Sequence, residues 1–484
     1  MVVAQSIQGP RGGVAFDKIN VCPAGQTSPK PCSLTRKLTY SITATTTFGK
    51  TKVVTQGVPN LDFTLSGTTC RGTLSAGSSC TVRATFAPIA PGVRMGAALL
   101  TDSSGNLLAT TLIHGNGQGP VAAFAPSAQI TLSFSGYALA ADAAGDLFIP
   151  GDDNIVKIAA RTGVQTIVAK GVYTVGGLAV DGAGNVYGSE IGSNVVVKIA
   201  AGSGVQTTVG EGLYGPEGVA VDGWGNVFIV DSYNARVVKV HAATGIQTTV
   251  LPQNLFGQQF LYLPTDVAVD GVGDVFVTDQ DNSEVWEVPV GGDYGGYPIE
   301  VAQALIPAGV AVDAAGDVFI ADYGFSQIGV VPAGGGPETF LQLNNPWAIA
   351  LDGVGDVFAT EPGYGMLVEV KSSQPATLSF GKIAVGSTSA PQSVTIQNVG
   401  NQPLNAVAPG LIVGTNFLQV PGSGTPADCT SIFSLTPGAS CNLSIVFAPQ
   451  VVGAINGVAT FTDNALNRIP SASQSVKLRG IGVQ

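Results

Sequence analysis

One pattern returns six times in the middle of this chain, and it leaves few architectures open. Asp-x-x-Gly-Asn/Asp, followed by an apolar residue and an aromatic, begins at Asp142, Asp181, Asp222, Asp270, Asp313 and Asp352, at spacings of 39 to 48 residues. Each copy lies between two short apolar runs, such as 218–221 and 227–230. The Asp side chain caps the turn, and Gly145, Gly184, Gly225, Gly273, Gly316 and Gly355 supply the positive φ that other residues resist. This is a β-hairpin signal repeated six times. The aromatic falls at Phe148, Tyr187, Phe228, Phe276, Phe319 and Phe358, one large ring per repeat, as packing between adjacent sheets requires. Third and fourth runs, such as 236–240 and 247–251, give four short strands per period of about 40 residues, which is a propeller blade. The expected centre is a six-bladed β-propeller over 123–373. Pro216, Pro264, Pro307 and Pro346 stand six residues before the repeat Asp and stiffen entry into the innermost strand. Two segments compete for the outer strand that closes the ring, 129–134 and 376–380.

The third copy, Gly215-Pro-Glu-Gly-Val-Ala-Val-Asp222-Gly-Trp-Gly-Asn226-Val-Phe-Ile-Val-Asp231-Ser-Tyr-Asn234-Ala-Arg236, resembles the NHL family of propellers. The resemblance covers about 128–371. Only that copy keeps the Asn234-x-Arg236 pair, so the resemblance implies the fold and not a particular ligand.

Outside the propeller, two segments match each other. Residues 79–102 align without a gap to 440–463, sharing Phe86/Phe447, Pro88/Pro449, Gly92/Gly453, Gly96/Gly457 and Asp102/Asp463. Both regions are alternating and rich in Thr and Val, and both end in Gly-x-Gly (Gly115/Gly117 and Gly480/Gly482). Each is about the size of an Ig-like β-sandwich, expected over 1–122 and 374–484. The run from Val394 to Asn401 and the Cys…Ser-Cys…Phe-Ala-Pro pattern resemble Hydin-type Ig-like repeats of bacterial surface and secreted proteins. With no 3.6-residue period in view, the fold class is all-β.

The six cysteines fall into close pairs, Cys22/Cys32, Cys70/Cys80 and Cys429/Cys441, without a CxxC and with only two histidines to complete a zinc site. They are expected to form three short-loop disulfides, which places the chain in an oxidising compartment, secreted or at a cell surface. Residues 1–6 are too short for a secretory signal, so a removed signal and a truncated start both remain open.

Charge divides the chain. Residues 1–120 carry net +7, 121–374 net −20 and 375–484 net +2. The acidic centre argues against nucleic acid, and the lack of a run of about 18 apolar residues argues against membrane insertion by a helix. The partner expected is protein, including a second copy of the chain. The basic sandwich of one subunit would meet the acidic propeller of the next, with residues 2–7 as an apolar arm for a neighbour's sheet edge. A head-to-tail filament would follow.

Candidate site residues stand nine positions after the repeat Asp: Glu190, Asp231, Asp279, Asp322 and Glu361, with Gly151 and its neighbour Asp152 in the first copy. Two roles fit them. They ring one level of the propeller, where oxygen ligands suit Ca²⁺, or each bonds backbone amides of its own blade. Repetition in every blade favours the structural role. His241 and His114 read as ordinary surface or packed residues, no nucleophile elbow is present, and Asn442-Leu-Ser444 is a formal glycosylation sequon. The function expected is therefore a non-enzymatic structural or interaction protein without a cofactor. The alternative is a channel ligand-binding protein or an NHL-type lyase, which needs an asymmetric polar cluster at one channel mouth.

Overall fold

The computed structural model describes residues 6–10, 12–22, 31–125, 127–134, 136–160, 162–255, 258–289, 297–333, 338–422 and 426–484. Strands dominate, and helical structure among the described residues is confined to three-residue 3₁₀ turns.

The repeat region forms six four-stranded antiparallel sheets. The third is typical: Pro216–Val221, Val227–Asp231, Arg236–Val240 and Gln247–Leu251, from the inside outward. The innermost strands of successive sheets touch in an unbroken cycle, the first meeting the last, which is the ring of a propeller. In every repeat the Asp Oδ1 accepts backbone N–H groups two and four residues on, as Asp222 does from Trp224 and Asn226 at 3.0 and 2.8 Å. The turn glycines take φ of 79 to 100°. All six repeat aromatics are buried, each contributing roughly 1.5–3 kcal/mol. The ring closes with Ser127–Ser133 as the outer strand, antiparallel to Met366–Pro375.

The two sandwiches share one topology. In the first, one sheet runs Ile7–Gln8, Leu34–Ile42, Ser79–Phe86, Phe63–Thr68. Its other sheet runs Val14–Asn20, Leu107–Gln118, Gly92–Asp102, Thr46–Thr55. The second repeats both orders, with Ala122–Ala125, Gln392–Asn398, Ser440–Phe447, Phe417–Gln419 against Leu378–Ala384, Ala472–Val483, Gly453–Asp463, Leu404–Val413. The shared glycines have a steric cause. A Cβ at Gly115 or Gly480 would lie 2.4 Å from the ring of Phe86 or Phe447 respectively. The cysteines pair as Cys22–Cys32, Cys70–Cys80 and Cys429–Cys441, which fits an oxidising environment.

One boundary differs from the sequence reading. The first strand of the second sandwich, Ala122–Ala125, precedes the propeller, where the sequence placed the end of the first sandwich and the start of the propeller. In the first sandwich the equivalent strand connects to the next through residues 9–13. In the second, that connection is 126–377, so the whole propeller is inserted between two strands of one sandwich.

Candidate functional site: the open face of the propeller

Because strands alternate in direction, the repeat turns and the loops before the innermost strands lie at opposite ends of the ring. The repeat-turn end is covered. The turn glycines press on the first sandwich so closely that a Cβ at Gly182 would meet the Gly96 carbonyl at 2.3 Å, and one at Gly225 would meet Leu112 at 2.1 Å. His114 packs edge-on against Trp224 at 4.3 Å, and burial pushes its imidazole below the usual value. Gln56 donates to the Val180 carbonyl at 3.0 Å and Arg94 to that of Ala143 at 3.3 Å. The second sandwich reaches the same end through Gln397, which donates to Asp317 at 2.8 Å. A cavity of about 550 Å³ remains between the domains, where Lys18 and Arg94 face Asp142, Asp222, Asp270, Asp313 and Asp352.

The basic sandwich therefore docks on the propeller of its own chain. Of the expected apolar arm, residues 1–5 lie outside the described residues, and Ile7 is buried and paired with Ile42 in its own sheet.

The five candidate carboxylates lie near the other end, at the close of each second strand, and all are buried. Each accepts an N–H from the segment leading into its own innermost strand. Glu190 takes Tyr173 N at 2.8 Å, Asp231 takes Tyr214 N at 2.7 Å and Asp279 takes Leu263 N at 2.9 Å. Asp322 takes Leu305 N at 3.1 Å and Glu361 takes Asn344 N at 2.6 Å. Asp231, Asp279 and Asp322 are also register partners of Pro216, Pro264 and Pro307. Glu190 pairs with Val175 at the same position, so the carboxylate caps the upstream amides with or without the proline. Asp231 is bonded further by Asn234 and by Arg236 at 2.7 Å. In the first sheet Gly151 holds the equivalent position and Asp152 is exposed. Among the described residues no group of three or more His, Cys, Asp or Glu is arranged to hold a metal.

What these caps position is an aromatic rim. Tyr137, Tyr173, Tyr214, Tyr233, Tyr262 and Tyr364 are exposed on the loops of this end. Trp347 stands between Tyr137 and Tyr323, edge-on to both at 5.3 and 5.6 Å. Inside the rim lie two carboxyls that the sequence reading did not single out, Glu217 and Asp266. Burial, reinforced for Glu217 by the charge of Asp266, pushes each up to about 7. Asp266 accepts Val310 N at 3.0 Å and Val267 N at 2.9 Å.

A signal for Asp266 exists in the repeat alignment. Four residues before the repeat Asp the other copies have Ala138, Gly177, Gly218, Gly309 and Ala348. The innermost strands crowd there: a Cβ at Gly309 would sit 2.4 Å from the Trp347 carbonyl. A charged side chain in a column reserved for the smallest residues breaks the packing rule, as functional positions do.

Glu217 yields a signed prediction. Its carboxyl ionises near 4.5 when unperturbed and about 7 in the fold, so between those values the folded chain holds the extra proton and stability falls as pH rises. Glu217→Gln removes that loss. Its propeller should be more stable than the parent's by about 1 kcal/mol at pH 8, after screening at a partly exposed mouth, and equal to it at pH 4. Denaturant melts at both pH values test this, and no gain at pH 8 refutes the buried-carboxyl account.

Residues 366–469 match the family described as "Abnormal spindle-like microcephaly-assoc'd, ASPM-SPD-2-Hydin", in agreement with the Hydin-type resemblance of that segment. No curated protein matches the chain. A streptogramin B lyase structure is similar at 14% identity and TM-score 0.40, over 51% of this chain and 98% of that one. A virginiamycin B lyase from Staphylococcus aureus is similar at 14% identity and TM-score 0.40, over 67% and 99%. An auxiliary nutrient binding protein from Bacteroides ovatus is similar at 11% identity and TM-score 0.40, over 74% and 95%.

Proposed function

We propose that this chain is a non-enzymatic, cofactor-free binding protein of the extracellular space or cell surface, working through the open face of an NHL-like propeller. The observation that carries the reading is the difference between the two ends of the ring. One is covered by both sandwiches; the other leaves a rim of tyrosines in solvent around two carboxyls. Exposed tyrosines give large, low-entropy contact area, and a negative mouth ringed by π-faces suits a cationic partner surface. Three disulfides support the location, and among the described residues no helix is long and apolar enough to cross a membrane.

Chemistry inside the channel is the competing reading, and Glu217 with Asp266 is the asymmetric pair it needs. The space beside Asp266 favours the rim. The cavity between Tyr137, Asp266 and Trp347 holds about 20 Å³, room for little more than a water molecule. This supports a partner met at the rim. Titration with an octalysine and an octaglutamate peptide tests this. The basic peptide should bind preferentially, and Tyr214→Ala/Tyr233→Ala should weaken it about tenfold. Equal binding of both peptides, or indifference to the tyrosines, overturns the reading.

A further inference from the structure

We infer that the outer face of the C-terminal sheet of the second sandwich is a docking surface, and that its occupant is the open propeller face of a second copy of this chain. The inference rests on the reading of that open face as the binding surface, and names its partner.

The chain contains its own precedent. In the first sandwich, the outer face formed by Gly92–Asp102 and Leu107–Gln118 is the one that seats on a propeller. There Ala97 is fully buried, Leu112 lies over Gly225 and His114 over Gly223 and Trp224. Register fixes the equivalents in the second sandwich. Ala97 pairs with Leu112 and Met95 with His114; Val458 pairs with Lys477 and Asn456 with Arg479. Positions Ala97, Leu112 and His114 thus correspond to Val458, Lys477 and Arg479. All three of the latter are exposed, and so are Ile412 and Ile481 on the same sheet. One face of a shared architecture is occupied within the chain; its counterpart is bare.

The chemistry of the bare face selects the occupant. Lys477 and Arg479 flank Val458 and Ile481, Lys382 is exposed in register with Ile481, and the one carboxylate on these strands, Asp463, is buried. The face is basic with an apolar strip. The open propeller face is its complement: Asp152, Asp153, Glu211 and Asp281 are exposed on loops at the same end of the ring as the tyrosines, and Arg236 is already bonded to Asp231. Lysine and arginine above tyrosine rims add cation–π attraction to charge pairing. The contact joins unlike surfaces, so it propagates from copy to copy unless its rotation closes a ring. It replaces the first sandwich and the N-terminal arm as the source of head-to-tail assembly.

Sedimentation velocity on the full chain at low ionic strength is the test. It compares the parent, Lys477→Glu/Arg479→Glu, Asp152→Lys/Glu211→Lys/Asp281→Lys, and an equimolar mixture of the two variants. The replaced side chains are exposed, so unchanged thermal melting confirms that each variant folds. The parent should form concentration-dependent oligomers that dissolve at high salt. Each variant alone should associate about tenfold more weakly or worse, and the mixture should recover the parent's mass, because each reversed face then meets its complement. A parent that stays monomeric at low salt and high concentration overturns the proposal. So does a Lys477→Glu/Arg479→Glu variant that assembles like the parent. If the open-face variant alone then fails, the open-face reading survives and the sandwich assignment falls.

Discussion

Residues 374–484 produced alone will not fold into a stable sandwich, whereas residues 119–125 joined through a five-residue loop to 377–484 will. The missing piece is the strand Ala122–Ala125, which pairs along its whole length with Gln392–Asn398 from the far side of the propeller. Its Phe124 is buried in the sandwich core, with its ring 5.9 Å from that of Phe461. Losing a buried phenylalanine costs about 3–5 kcal/mol. Four residues of ladder add roughly 0.5–1.5 kcal/mol per hydrogen bond, and the newly exposed edge beside Ile396 invites aggregation. Against a whole-domain stability of about 5–15 kcal/mol, that is decisive. A loop of this length is close to that of the first sandwich, where five residues, 9–13, separate the equivalent strands. Circular dichroism melts of the two proteins decide it: cooperative melting of 374–484 within a few degrees of the graft would show that the strand is dispensable.

That strand also marks where the sequence stops being legible. The propeller could be read because its signal is repeated: an Asp, a glycine with positive φ and a ring, six times over. The sandwiches could be read from their glycines, and the contacts of Gly115 and Gly480 with Phe86 and Phe447 show why no larger residue can stand there. Ala122–Ala125 carries no such mark. Four small or apolar residues fit the edge of either sandwich or the start of the propeller, and the pairing that chooses among them spans more than 250 residues.

The site follows the same logic in reverse. Glu190, Asp231, Asp279, Asp322 and Glu361 stood out because they recur, and recurrence is what a structural cap produces; each holds amides of its own blade. The rim and mouth are asymmetric, so a repeat motif averages them away. Glu217 shares its column with Tyr137, Gly176, Thr265, Ala308 and Trp347, six different residues at one position. Variation within the column, with the surrounding frame held constant, is what a six-fold motif cannot register. The docking of the first sandwich was illegible for a different reason: Leu112 and His114 read as ordinary strand residues until the turn glycines meet them.

Arg94→Met should cost about 3–5 kcal/mol and loosen the first sandwich from the propeller. The guanidinium lies almost wholly out of solvent, with Nε and Nη2 both donating to Asp62 Oδ2 at 2.9 and 2.8 Å. Asp62 is fully buried, and its other oxygen accepts Ile89 N at 2.9 Å. Removing the cation leaves a buried carboxylate with one backbone donor, and the cost is that of the abandoned charge more than of the lost attraction. Arg94→Met with Asp62→Leu should therefore recover most of the loss, since it removes both charges together. Arg94 also donates to Ala143 O in the first repeat turn, and a Cβ at Gly353, in the last, would lie 3.1 Å from its Nη1. One side chain thus bridges the two repeats that meet where the ring closes. Hydrogen exchange should report faster opening of the closing strand Ser127–Ser133 in the single variant than in the parent, with the double variant in between. The double variant restores the buried charge balance but not the bond to Ala143. If the single variant destabilises only the first sandwich and leaves exchange at the closing strand unchanged, the ion pair is a matter of that sandwich alone and not a clasp on the ring.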